Sequence, residues 1–193
     1  MKYNSNSLLE SLQADVRQLI LEAEQLKALP ASVMHLQPEA HQWSVAQVLE
    51  HLNIYSRFYI NAIEQKLHLN QSGPNTDFTP GWLGNYFTNL MMPDADKRIS
   101  KKMKAPKNAA PSAQPDGKTM LEEFVNHQHL LLNLLQIAKT ANLDYNRIPT
   151  SLSKLISLKL GDTFRFFIAH EQRHFIQIQN TLKQVYPKLQ AAA

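Results

Sequence analysis

The sequence predicts an all-α fold, a four-helix bundle with a long crossover between its second and third helices. Three observations predict it. Long segments carry Leu, Gln, Glu, Lys and Ala, which favour helix, and only 5 of the 193 residues are glycine. Apolar residues recur in steps of three and four along four separate stretches. No run of alternating or β-branched residues signals a strand. The length and a hydrophobic content of 44% suit a single domain, 1–193, with its core over about 5–186.

The first helix is expected from Asn6 to Leu29, where Leu8, Leu12, Val16, Leu19, Ala23 and Leu26 form one apolar stripe and Pro30 stops it. The second starts at Ser44. Ser44 with Gln47 three residues on is a capping box, in which the hydroxyl takes a free backbone N–H and the amide reaches back. Val48, Leu52, Tyr55, Tyr59 and Ile63 carry the stripe to Leu69. The connection from Asn70 to Gly117 holds Pro93, Pro106, Pro111 and Pro115, so it is not one helix. A short helix is expected around Trp82 to Met92, and the rest reads as a crossover packed over one end of the bundle. The third long helix runs from Lys118 to Ala141, with Leu121, Phe124, Val125, Leu132 and Leu135 facing inward. A shorter helical piece is expected near Ser151 to Leu158. The last helix runs from Gly161 or Asp162, with Asp162 as its N-cap, to Tyr186, and Pro187 closes it.

Composition removes several function classes. There is no cysteine, so disulfides, zinc–thiolate sites and a cysteine nucleophile are excluded. Met1 to Glu10 carries no apolar h-region and no stretch approaches about 20 uninterrupted apolar residues, so the expectation is a cytoplasmic protein without a signal peptide and with no membrane partner. The net charge of +4 is mild. Part of it sits in Lys97, Arg98, Lys101, Lys102, Lys104 and Lys107. No aromatic residues interleave with these cations, so the stretch reads as a solvated loop and no nucleic-acid partner is expected.

The chemistry concentrates in His170-Glu171-Gln172-Arg173-His174. Histidines at i and i+4 sit one turn apart on one helix face, with Cβ atoms about 5–6 Å apart, and can reach one ion. At 100° per residue, Phe164, Phe167, Ile168, Phe175, Ile178, Leu182 and Val185 share one arc. His170 and His174 lie at the edge of that arc, Glu171 lies inside it, and Arg173 points nearly the opposite way. A carboxylate in an apolar arc needs a partner, and a metal-bound histidine N–H or water would serve. His51 borders the stripe of the second helix and can face the same centre. Each histidine also reads as a hydrogen-bonded core residue. His127 and His129 flank Gln128 on the third helix and read as rim residues, and His35, His41 and His68 as loop or helix-end residues.

The pentad spells H-E-x-x-H, the zincin metallopeptidase signature, with Glu171 as general base. Context opposes it: no His, Asp or Glu follows His174 to supply a third ligand, and no strand is expected that would hold an extended peptide. A different resemblance fits more of the chain. Trp43-Ser44, then Leu49, His51 and Leu52, resemble the W-S-x-x-x-x-L-x-H-L opening of the DinB-like superfamily. Gly161-Asp162, leading through Phe164, Phe166 and Phe167 to the pentad and Gln177-Ile178, resemble its closing helix. Lys104-Ala105-Pro106-Lys107 before Pro111 resembles the crossover of one branch.

The resemblance implies a four-helix bundle, often a homodimer, with a histidine triad that binds one divalent metal ion, nickel or zinc. The triad maps onto His51, His170 and His174. Three histidines with an open position are a catalytic metal arrangement. The implied function is a metal-dependent transferase acting on a small-molecule substrate with a low-molecular-weight thiol such as bacillithiol, mycothiol or glutathione. Glu171 would be the catalytic carboxyl, orienting a ligand or accepting a proton. The alternatives are a metal-dependent hydrolase using a metal-bound water, or a binding module without turnover.

Overall fold

The computed structural model describes residues 2–94, 99 and 103–191. Four long helices form the body: α1 (Ser5–Leu26), α3 (Val45–His68), α5 (Gly117–Ile137) and α6 (Leu160–Ala191). Shorter helices α2 (Ala31–His35) and α4 (Trp82–Met91) lie between them. The expected α1 ends three residues early, and Pro30 opens α2 rather than merely stopping α1. The capping box at the start of α3 forms as expected. Ser44 Oγ accepts from the Gln47 N–H at 3.3 Å, and the Ser44 N–H donates to Gln47 Oε1 at 3.0 Å.

Cross-helix contacts set the directions. Asn53 donates to the Met120 carbonyl and Arg57 pairs with Glu123, so α3 and α5 run parallel. Tyr59 against Phe167 and Tyr55 against His170 make α6 antiparallel to α3. Gln13 bonds Gln136 and Lys139 pairs with Glu10, so α1 opposes α5. Two consecutive long helices that run parallel need a return path the length of α3, about 36 Å for 24 residues. That requirement explains the long crossover between them.

The crossover does more than cover one end. α4 packs on the first turns of α6, where a Cβ on Gly84 would come 2.3 Å from the Asp162 side chain, so only glycine permits the approach. A 3₁₀ turn at Lys107–Ala109 then lies against α3 at the opposite end of the bundle. There the Ser112 N–H and hydroxyl both donate to Glu50 Oε2, at 2.6 and 2.9 Å, and Gln47 donates to the Ser112 and Ala113 carbonyls. Lys104 and Lys107 are exposed, while Lys97, Arg98, Lys101 and Lys102 lie outside the described residues.

Three expectations are corrected. Strands do occur: β1 (Tyr3–Asn4) pairs with β2 (Asp77–Phe78), and β3 (Arg147–Thr150) pairs with β4 (Ser153–Lys159), both antiparallel. The helical piece expected near Ser151 to Leu158 is therefore part of a hairpin. Thr150 Oγ1 donates to the Ser153 carbonyl and accepts its N–H, closing the turn. Ile148, Thr150 and Leu158 are buried, while Leu152 and Leu155 are exposed. Asp162 is not the N-cap of α6. The helix starts at Leu160, whose N–H donates to the Asn146 carbonyl, and Asp162 instead accepts from the Gly81 N–H at 2.8 Å. Pro187 does not close α6, which continues to Ala191 with one backbone donor missing.

Buried apolar residues form two clusters. One takes in Tyr55 to Leu67 of α3, Leu131 to Leu135 of α5 and Phe164 to Ile168 of α6. The other takes in Val45 to Leu52, Leu121 to Val125, and Phe175 with Ile178. Between them lies a polar layer: His51, Ser56, Gln128, His170 and Glu171 are all buried. Among the described residues no helix is long and apolar enough to cross a membrane.

Candidate metal centre

His51 stands in the second turn of α3, and His170 and His174 stand one turn apart on α6. Because α3 and α6 are antiparallel neighbours, the three rings converge. One ligand atom from each lies within 4.8 Å of the other two. The His51 and His170 Nε2 atoms are 3.4 Å apart. The His174 ring centroid is 4.6 Å from each of the other two. His51 and His170 are buried and His174 is half-buried, so the cluster opens towards solvent on the His174 side.

Hydrogen bonds orient the rings. His51 Nδ1 donates to the Ala109 carbonyl at 2.7 Å, which leaves Nε2 as the bare nitrogen facing the cluster. His174 Nδ1 donates to Gln177 Oε1 at 2.8 Å, with the same consequence. Such bonds to the far nitrogen are what orient histidine ligands in metal sites. His170 Nδ1 is buried without a hydrogen-bond partner among the described residues.

Electrostatics keep all three imidazoles neutral. Burial pushes the His170 pKa well below its usual value, and the neighbouring His174 and His51 push it further. Burial first, and then His51, bring His174 down to about 3, against the opposing bond to Gln177. Burial also lowers His51, opposed by the Ala109 carbonyl. Neutral imidazoles carry the lone pairs that a cation needs.

The donor set fits a divalent ion. Two imidazole nitrogens on one tetrahedral ion, each about 2.0–2.1 Å from it, lie about 3.3 Å apart, close to the 3.4 Å between His51 and His170. Two acceptor nitrogens at that distance without a proton or cation between them would repel. Aromatic rings enclose the group. Trp43 lies 4.9 Å from His51 and 6.4 Å from His174, and Tyr55 lies 5.0 Å from His51 and 4.6 Å from His170, all between ring centroids.

Glu171 occupies the inner face of α6, fully buried. Its partner is not a histidine ring. Gln128 Nε2 donates to its Oε1 at 2.8 Å, and the Ser56 hydroxyl lies against the carboxyl. Burial raises its pKa to about 8, outweighing both contacts. At neutral pH it is a carboxylic acid. Gln128 holds the inward position expected between His127 and His129. His129 is exposed, and half-buried His127 bonds Asn53. His35, His41 and His68 are exposed and do not belong to the cluster. Arg173, expected to point away to water, is buried at 5% exposure. A helix projection gives a side chain's direction but not what covers its far side.

Sequence reasoning missed the orienting partners. Gln177, three residues after His174, is within helical reach and was readable in principle. The Ala109 carbonyl was not, because a backbone acceptor contributed by a distant crossover leaves no residue-type signal.

No curated protein and no solved structure matches the chain. The model of the DinB superfamily matches residues 9–178, which contain both histidine motifs and the crossover between them. The chain belongs to the DinB superfamily.

Proposed function

We propose that this protein is a metal-dependent transferase that joins a low-molecular-weight thiol to an electrophilic acceptor, with His51, His170 and His174 holding one nickel or zinc ion. The observation that carries the reading is the convergence of three imidazoles, two buried and one half-buried, with the bonds of His51 and His174 leaving their other nitrogens towards the cluster. A divalent ion bound there lowers the pKa of a coordinated thiol, so that thiolate is present at neutral pH without any protein cysteine.

The chain's own groups do the rest. Ala109 and Gln177 hold the His51 and His174 rings in their donor orientation. Trp43 and Tyr55 exclude water from two sides of the cluster, which strengthens charge interactions inside it. Glu171 is the one acid in the polar layer and the group placed to take up or release a proton, and Gln128 fixes its orientation. In the overall reaction the thiol loses its proton, a sulfur–carbon bond forms, and the acceptor's leaving group departs with its electron pair.

The test is thiol consumption. Metal-loaded protein, mixed with bacillithiol or glutathione and an aryl halide, should consume thiol and acceptor one for one, and metal-free protein should not. Failure with every thiol, together with cleavage of esters or amides in their absence, would replace the transferase with a hydrolase using the same histidines. Failure of both would leave a binding module.

A further inference from the structure

Beside the triad lies a cavity of about 420 Å³, within the range of small-molecule sites. It sits between α3, the crossover at Asn108–Ala109 and the hairpin turn at Ser151–Leu152. Tyr55 belongs to both places: it lines the cavity and packs against His51 and His170. Ala109 does too, lining the cavity while its carbonyl orients His51. The cavity and the histidine cluster thus share Tyr55 and Ala109 as a common border.

The lining chemistry narrows the occupant. Ile54, Tyr55, Phe58 and Leu152 supply an apolar surface, and Asn61, Asn108 and Ser151 supply neutral hydrogen-bonding groups. The one charged side chain among the described lining residues, Arg57, is already paired. Its Nε and Nη2 donate to both carboxylate oxygens of Glu123, at 2.6 and 2.7 Å. Glu123 offsets the guanidinium's charge and takes its Nε and one Nη2 donor, so the lining offers an anionic ligand no net positive charge. Glutathione and bacillithiol carry carboxylates and therefore fit this cavity poorly.

We propose that the cavity binds an uncharged, largely apolar small molecule, aromatic or alkyl in body, and that this molecule is the acceptor of the reaction at the triad. Its role as acceptor rests on the function proposed above, whereas its binding does not. The cavity supplies the selectivity: an apolar body rests on Phe58 and Tyr55, and the amides of Asn61 and Asn108 select for one or two neutral polar substituents.

The experiment is a fluorescence titration of the full-length protein, metal-loaded and metal-free, with phenylnaphthylamine and with its sulfonate, anilinonaphthalenesulfonate. The two probes share a scaffold and differ in charge. The expected result is one phenylnaphthylamine site per chain, with the sulfonate bound at least about tenfold more weakly. Asn61→Trp and Leu152→Trp, both at exposed rim positions, should each weaken phenylnaphthylamine by about tenfold or more, with helicity and metal content unchanged. Absence of saturable binding, equal binding of the two probes, or binding undiminished in both variants would overturn the proposal. Metal content reports separately on the triad: a chain that binds phenylnaphthylamine but no metal keeps this inference about binding and loses the proposed function.

Discussion

The two halves of α6 bury polar groups in opposite ways. Near its start, Asp162 and Arg165 are nearly inaccessible, yet each is engaged by protein. Asp162 takes the Gly81 N–H and an Arg165 N–H, and Arg165 reaches Tyr3 and Asn85. Further along, His51 and His170 bring their Nε2 atoms to 3.4 Å beside His174, and His170 Nδ1 and Glu171 Oε2 are buried without a hydrogen-bond partner among the described residues. The first arrangement is closed and structural. The second leaves buried polar atoms unpaired around three converging rings that could hold a metal ion. Burial alone does not distinguish the two. What distinguishes them is whether donors and acceptors balance.

The largest effect expected from this contrast is on the histidine side. Adding nickel or zinc at about a thousand times its dissociation constant should stabilise metal-free protein by about 4 kcal/mol, which for a chain of this size raises Tm by about 10 °C. His170→Ala should abolish the gain, as read by thermal unfolding with and without metal. On the other side, Asp162→Ala leaves the Arg165 guanidinium buried without its carboxylate. It should destabilise the fold by about 3 kcal/mol while leaving metal content unchanged. Comparable loss of metal in this variant would show that the two halves are not independent.

Gln177→Ala sharpens the contrast. It removes only the acceptor that orients His174, and should weaken metal binding about 10–100-fold with little change in the stability of the metal-free chain. Calorimetric titration with zinc measures it. The smallest effect at neutral pH belongs to Glu171→Gln, where one neutral side chain replaces another of the same shape. Its signature is in the pH dependence. The folded Glu171 pKa of about 8 lies above the unfolded value of 4.5. The folded state therefore holds a proton that the unfolded chain has released, and the stability contributed is full below 4.5 and lost as pH rises through about 8. Wild-type metal-free protein should lose more Tm between pH 6 and 9 than Glu171→Gln, at about 1.4 kcal/mol per pH unit at most. Equal losses would remove Glu171 as the group responsible. The histidines act with the opposite sign. Their folded pKa values are depressed from 6.5, so their contribution is present above that value and declines as pH falls below it.

The four long helices and the His170/His174 pair were legible because both rest on periodicity, whereas His51 joined the pair only through the family resemblance. Leu8 to Leu26, Val48 to Ile63 and the Phe164 to Val185 arc each repeat often enough to define a face, and the same arithmetic placed His170 and His174 beside Glu171. The hairpin was not legible. Ser151 to Leu158 is too short for either period to prevail, and Leu152, Leu155 and Ile156 are exposed while Leu158 is buried. The N-cap role expected of Asp162 failed for a related reason: the free N–H groups of α6 are met by backbone carbonyls from Leu143 and Asn146, and the carboxylate serves the crossover instead. Glu171 was correctly placed in the core, but its partner Gln128 comes from α5, and pairing across a bundle depends on helix register that no single sequence states.

The central claim is that the polar layer of the bundle is a metal site. Elemental analysis of the wild-type protein, purified without a histidine tag, beside a His51→Ala, His170→Ala, His174→Ala triple variant tests it most directly. The account predicts about one equivalent of nickel or zinc per chain in the wild type and none in the variant. No metal in the wild type, even after nickel and zinc are added, or equal metal in both proteins, would contradict it and make the three histidines a hydrogen-bonded core cluster.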